Sequence, residues 1–397
     1  MEAIIHKRFS AFEEIMPKWG RLKREFYEVT VFQDIGWLKR WWEYNCENNK
    51  VTPYIVEVRK SNNTIGIIPF YIIYKHFKNT TFRLLKPFGS YESDYLVPLI
   101  SKKYSAEKIL KIGFKKMQDD KGNWDCIMWN DVPENSFFES ILAGNLLKGN
   151  RLIQREKGFV CPFVTIGQDF NKIKQGMNQQ FVGQILSKQR RLGKKGELKF
   201  CKVANKQEIE YVMNKLFEFH IERWMGTNTP SRFQSRKEKE HYLHLAQTLF
   251  ENNLLHLTYL MHNNEIVSVH FGMSDKERLY FYIPAFNINF KRYSVGSILL
   301  YRLILLAFEE KLKTFEFLRG DEAYKYSFGA VEKYNSNYLI FNYSLRSLLY
   351  KKICNSYLAD DFQESSVVRQ LLIKAFITVS AIFLDIFNDS NTGNLKS

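Results

Sequence analysis

The chain repeats itself. A helix, three consecutive apolar strands, a second helix and a further strand occur twice in that order, roughly one domain length apart. In the first pass, Trp37-Leu-Lys-Arg-Trp-Trp42 reads as helix, with Trp41 and Trp42 as core residues. Pro53–Arg59, Thr64–Tyr74 and Thr81–Phe88 then read as β-branched, aromatic strands. A helix capped by Ser105 carries Ile109, Leu110, Ile112 and Phe114 on its apolar side, and Trp124–Trp129 is the closing strand. In the second pass, a helix carries His220-Ile-Glu-Arg-Trp224, and Leu254–Met261, Glu265–Met273 and Arg278–Ile283 are the strands. A helix follows from Ser294 to about Lys311, then the strand Thr314–Leu318, and Tyr338–Tyr343 reads as one more strand. This order predicts an α/β protein with a mixed sheet in each half.

Composition narrows the class. With 45% hydrophobic and 25% charged residues, the 397-residue chain is neither disordered nor polytopic in a membrane. Its 58 Lys and Arg against 42 Asp and Glu suit polyanionic partners such as nucleic acid, anionic lipid or phosphate-bearing cosubstrates, although Lys and Asn are frequent throughout. Five scattered cysteines form no CxxC or Cys/His cluster, so neither a zinc site nor a disulfide framework is expected, and a reducing cytoplasm fits. The first twenty residues carry early charges and do not read as a secretory signal. Beyond Leu345 the chain turns helical. Val367–Phe387 has an apolar stripe, and its longest apolar run, Ala375–Leu384, is too short to span a bilayer, which leaves a buried helix or peripheral membrane contact.

Two segments carry chemistry. Tyr293-Ser-Val-Gly-Ser-Ile-Leu-Leu300 opens a helix that is apolar on nearly every side and so lies buried against a sheet. Its first amides would face the crevice, Gly296 permits close approach, and Lys291 and Arg292 stand one step upstream; a pyrophosphate is the natural occupant. The basic run Ser187–Lys195 reads as a solvated helix face or as an electrostatic platform for such a ligand. Arg319-Gly-Asp-Glu-Ala-Tyr-Lys325 follows a strand, at the end where α/β crevices lie. There Asp321 or Glu322 can take a proton from an amine, Tyr324 can give one to a leaving thiolate, and Lys325 or Arg319 can hold an anion. An internal Arg319–Asp321 ion pair is the alternative. His270, at an alternating mid-strand position, is either a core residue or a base facing the cleft.

Leu318–Lys325, preceded at this distance by Tyr293–Leu300, resembles the FemAB-like, CelD-type branch of the GNAT acyltransferases. His220-Ile-Glu-Arg-Trp224 resembles its helical HxxRW element. Trp37–Trp42, Gly66-Ile-Ile-Pro69, Gly89 through Asp94-Tyr95, Trp124-Asp125 and Asp131-Val-Pro133 extend the resemblance over residues 20 to 345. It implies two fused GNAT-like domains, a degenerate one over 1–182 and one with the acyl-CoA site over 183–345; the chain beyond reads as a helical extension over 346–397. The implied cosubstrate is acetyl-CoA or another acyl-CoA, with no metal. Its pyrophosphate would lie on Ser294, Val295, Gly296 and Ser297 near Lys291 and Arg292, and its thioester beside the strand at Tyr282 and Ile283, where a backbone amide would hold the oxyanion. Ser294-Val-Gly departs from the more usual Ser-Pro-Gly, a conservative change at a helix start. His220, Arg223, Trp224, His270 and Arg319 would meet the acceptor, a small molecule or glycan such as a sugar nucleotide or envelope polysaccharide precursor. The expected location is the cytoplasm or the inner face of its membrane. The alternatives are aminoacyl-tRNA-dependent peptidoglycan transfer, the only role in which nucleic acid would be a partner, and a non-catalytic envelope-assembly protein.

Overall fold

The computed structural model describes residues 1–8, 10, 14, 25–46, 51–146, 152–227 and 229–360. Residues 1–342 form one compact unit, and the chain from Tyr343 onward belongs to a second. Of the second unit, the helix α7 (Leu345–Asp360) is described. The apolar stripe at 367–387 lies outside the described residues. No helix among the described residues is long and apolar enough to cross a membrane.

Two mixed sheets build the large unit. In the first half, β1 (Glu2–His6), β2 (Thr52–Lys60), β3 (Asn63–Phe77) and β4 (Thr80–Pro87) form an antiparallel run, with the short β5 (Leu99–Ile100) on β3. β6 (Cys126–Pro133) joins β4 in parallel. The crossover between them is α2 (Ala106–Asp119), which follows α1 (Ile35–Cys46) in chain order. Ser105 caps α2 by accepting from the Lys108 amide. Ala106, Ile109, Leu110, Gly113 and Met117 are its buried positions, the stripe a helix of 3.6 residues per turn lays on a sheet.

The second half repeats the plan. α3 (Gln179–Gly193) leads into β9 (Leu198–Lys202), and α4 (Lys206–Trp224) and α5 (Arg236–Glu251) precede the meander β10 (Leu255–His262), β11 (Glu265–Ser274) and β12 (Arg278–Phe286). α6 (Val295–Glu309) then crosses to β13 (Thr314–Glu316), parallel to β12. α4 and α5 pack on one face of this sheet and share a core with α1 of the first half. α3 and α6 pack on the other face around a core of their own. Trp41 and Trp42 are buried in the shared core.

The halves also exchange strands. After β6 the chain makes β7 (Ile153–Val160), crosses at Cys161-Pro162, and adds β8 (Phe163–Thr165) to β13 of the second sheet. After β13 it returns through the 318–333 segment and inserts β14 (Tyr334–Phe341) between β6 and β7 of the first sheet. The strand expected at Tyr338–Tyr343 therefore belongs to the first sheet rather than the second. Neither 1–182 nor 183–345 contains every strand of its own sheet. The two crossovers bond to each other through Cys161 N–H to Lys333 O, Phe163 N–H to Val331 O and Gly320 N–H to Val160 O.

Candidate active site

In both sheets the one parallel pair is short and then splays. β12 pairs with β13 from Arg278↔Thr314 only as far as Tyr280↔Glu316, so residues 281–286 have no strand beside them on that side among the described residues. The register between β11 and β12 also shifts between Phe271 and Met273. An open strand edge of this kind presents backbone donors to a ligand rather than to a neighbour. In the first half, β4 and β6 part after Leu85↔Ile127, but there the chain fills its own wedge. Leu96 N–H bonds the Asp131 carbonyl, and the Trp129 indole donates to Leu96 O.

At one end of the open edge stands the start of α6. Residues 288–293 form a right-handed 3-10 turn, and Ser294 then takes a left-handed conformation with φ +52°. This succession makes a concavity of backbone amides. The Ser294 side chain does not cap the helix. Its Oγ instead accepts from Lys188 Nζ of α3 at 2.8 Å. The amides at the helix start thus lack a side-chain cap, an arrangement suited to an anion. Tyr293 has the Arg292 guanidinium 4.8 Å and Lys195 Nζ 5.9 Å from its ring centre. Lys188 and Lys195 come from the basic run 187–195, which covers the last two turns of α3 and the two residues after it. A Cβ added at Gly296 would lie 3.3 Å from Phe286 Cδ1, so the helix start abuts the end of the open edge.

At the other end stands the 318–325 loop. Leu318 is held at φ +60°, a left-handed conformation that a bulky side chain adopts only at a cost of about 1–3 kcal/mol. Lys325 holds it there. Its buried ammonium donates to the carbonyls of Leu318, Arg319 and Gly320 at 3.3, 2.9 and 3.1 Å and pairs with Glu322 at 2.9 Å. Those contacts occupy the ammonium, so Lys325 shapes the loop rather than facing an anion. Glu322 and Tyr324 reach solvent, and the Asp321 position is exposed. Burial and the Glu322 carboxylate push the Tyr324 phenol well above its ordinary range, against the opposing Arg223 guanidinium. Arg223 also lies 5.5 Å over the Phe286 ring. Arg223 therefore lies over Phe286, near the helix start, and is close enough to Tyr324 to oppose the shift of its phenol.

Residues 179–326 match the family model described as the acetyltransferase (GNAT) domain. This segment is a GNAT domain. No curated protein matches the chain by sequence. Among solved structures the fold is similar to that of FemX, at 11% identity over 89% of this chain and all of that one, with a TM-score of 0.59. A conserved protein of unknown function from Bacteroides thetaiotaomicron is similar at 12% identity over 85% of this chain and 99% of that one, with a TM-score of 0.51. Both likenesses are of fold, and they extend over most of the chain.

The first half forms a wall beside the 318–325 loop and β12. Arg319 does not pair with Asp321. It bonds the Asp94 carboxylate and the Ser93 carbonyl and lies 3.7 Å from Asp131. Burial raises Asp131 to about 6, with Arg319 opposing and Asp94 reinforcing the shift. Tyr282 points to the same wall, its hydroxyl donating to Glu92 O at 3.0 Å, while Ile283 packs on the shared core. Trp37 donates to Ser93 Oγ, and Trp41 to Ser90 O. Glu92 is buried, 3.3 Å from His241 Nε2 and 3.9 Å from Arg232, whose guanidinium also meets Tyr242 and Glu238. The sequence reading missed Glu92, Arg232 and His241, although α5 shows an apolar stripe, His241, Tyr242, Leu245, Ala246 and Leu249, at helical spacing.

The remaining expected residues divide. His220 Nδ1 meets Ser231 Oγ at 2.8 Å, and burial, then Arg223 and Arg232, lower its pKa to about 4. The ring is therefore neutral at physiological pH. Trp224 is half-buried beside Arg223. His270 lies elsewhere, fully buried and stacked on Phe281 beneath α6, with Nδ1 3.3 Å from Thr258 Oγ1. It is a core residue, and burial lowers its pKa to about 3. No group of three or more His, Cys, Asp or Glu among the described residues is placed to hold a metal.

Proposed function

We propose that the GNAT domain transfers an acyl group, most simply acetyl, from acyl-CoA to an amine or hydroxyl of a sugar, a sugar nucleotide or an envelope polysaccharide precursor, on the cytoplasmic side of the cell. The observation that carries this reading is the uncapped start of α6. Its Ser294 side chain is turned to Lys188, and it stands against Phe286 at the end of the open β12 edge, with Arg223 over the Phe286 ring. A diphosphate on the amides of 295–297 would run the rest of the cosubstrate along 281–286 toward the 318–325 loop. A thioester needs orientation, a base for the acceptor and a donor for the oxyanion. The exposed carboxylates Asp321 and Glu322 serve as candidate base. Tyr324, whose phenol stays protonated at neutral pH, serves as acid toward the leaving thiolate.

The test is calorimetric titration of the full chain with coenzyme A, paired with thiol release from acetyl-CoA. Binding in the micromolar range that weakens about tenfold in Lys188→Ala supports the reading, as loss of one charge-assisted contact predicts. Absence of binding at millimolar coenzyme A ends it. A second reading, aminoacyl-tRNA-dependent transfer, draws on the fold shared with FemX and the formal charge of +16. A tRNA gel shift that vanishes with modest added salt would favour it instead.

A further inference from the structure

From Leu84 to Ile100 every residue is buried but one. That one is Tyr91, 49% exposed and held at φ +76° at the tip of the 89–93 turn. An aromatic side chain in the left-handed region is costly, and such positions gather at functional sites. The turn bonds to itself through Glu92 and Ser93 N–H to Gly89 O and Ser90 N–H to Pro87 O. It is pinned from outside by Tyr282, Arg319, Trp37 and Trp41. Tyr91 therefore stands next to Glu92, whose carbonyl accepts from the hydroxyl of the β12 residue Tyr282.

Behind Tyr91 lies Lys86, 6% exposed, on the first residue of β4 after its last pairing with β6. Its ammonium bonds the Tyr91 hydroxyl and stands 4.3 Å from the ring centre. No carboxylate among the described residues forms an ion pair with Lys86. The two acids of that wall, Asp94 and Asp131, contact Arg319, and Asp131 feels the charge of Lys86 without pairing with it. A buried cation without a paired anion is costly. An ammonium has donors only, so the phenol oxygen accepts and the phenol proton is left to point outward. The pair offers solvent a hydrogen-bond donor with a positive charge directly behind it.

From this geometry we infer that Lys86 and Tyr91 form an oxyanion-binding subsite, contributed by the first half, that receives a phosphate or carboxylate of the acceptor. The inference rests on the acyltransferase reading for the word acceptor and on the structure for the anion. It makes the degenerate half a selector of substrates rather than a scaffold alone.

The test titrates the full chain, saturated with coenzyme A so that the start of α6 is occupied, with inorganic phosphate, glucosamine 6-phosphate and glucosamine. The two phosphates are expected to bind and the uncharged-tail amine to bind at least tenfold more weakly. Tyr91→Phe, a change on an exposed ring, and Lys86→Met are each expected to weaken phosphate about tenfold, with coenzyme A affinity unchanged. Phosphate binding of wild-type strength in Tyr91→Phe, or equal binding of glucosamine and its phosphate, overturns the inference. Should Lys86→Met fail to fold, Tyr91→Phe decides. Should coenzyme A not bind, the donor reading falls, and the difference between wild type and Tyr91→Phe toward phosphate still decides this one.

Discussion

Replacing Asp131 with Asn should stabilise the protein at neutral pH. Asp131 is buried at the end of β6 with φ +58°, a conformation that Asn adopts readily. Its carboxyl is raised from 3.8 to about 6, burial outweighing Arg319. A carboxyl that binds its proton more tightly when folded contributes stability that is fully present below the unfolded value and is lost as pH rises through the folded one. Two pH units correspond to about 3 kcal/mol, so ionised Asp131 costs roughly that much at pH 8 relative to its neutral form. Asn reproduces the neutral form. Arg319 keeps Asp94 and Ser93 O in the variant. Equilibrium urea unfolding of wild type and variant at pH 8, 6 and 4 gives the difference directly. His220, His256 and His270, all lowered by burial, destabilise both proteins as pH falls below 6.5 and cancel in that difference. The variant should be about 3 kcal/mol more stable at pH 8, less so at pH 6 and equal near pH 4. A variant less stable than wild type at pH 8, or a difference that does not change with pH, refutes the reasoning.

Two further outcomes follow from close contacts. A Cβ at Gly272 would lie 2.2 Å from the His270 ring and 2.4 Å from the Tyr280 carbonyl, so Gly272→Ala should cost more than about 3 kcal/mol or abolish soluble expression. The companion His270→Ala should not rescue it, because the backbone oxygen remains. Lys325→Met removes the cation from three carbonyls and should cost about 3–5 kcal/mol and expose the 318–322 loop to limited proteolysis, with an unchanged melting curve as the contrary result.

Most of the plan was legible because each element carries its own periodicity. β2, β3, β10 and β11 are apolar runs bounded by polar turns, and α2 and α6 announce their caps or their greasy faces. The strand exchange was not legible. β8 is three residues long, β7 (IQREKGFV) is half polar at its sheet edge, and nothing local in β14 says which sheet it joins. The two halves of the site were likewise read separately. Arg319 stands 225 residues from Asp94, and a lone Arg beside Asp321 looks locally satisfied. Lys86 and Tyr91 were overlooked because a lysine ending a strand and a tyrosine in a turn are each ordinary; only burial of the one and exposure of the other distinguish them.

The insertion of β14 between β6 and β7 has a cost in time. During synthesis the first sheet cannot close until residues 334–341 have emerged, roughly 200 residues after β6 is available, or about 10–40 s at ribosomal rates. For that interval the free rims of β6 and β7 are adhesive to any passing strand, so the nascent chain is a natural client for chaperones that shield such rims.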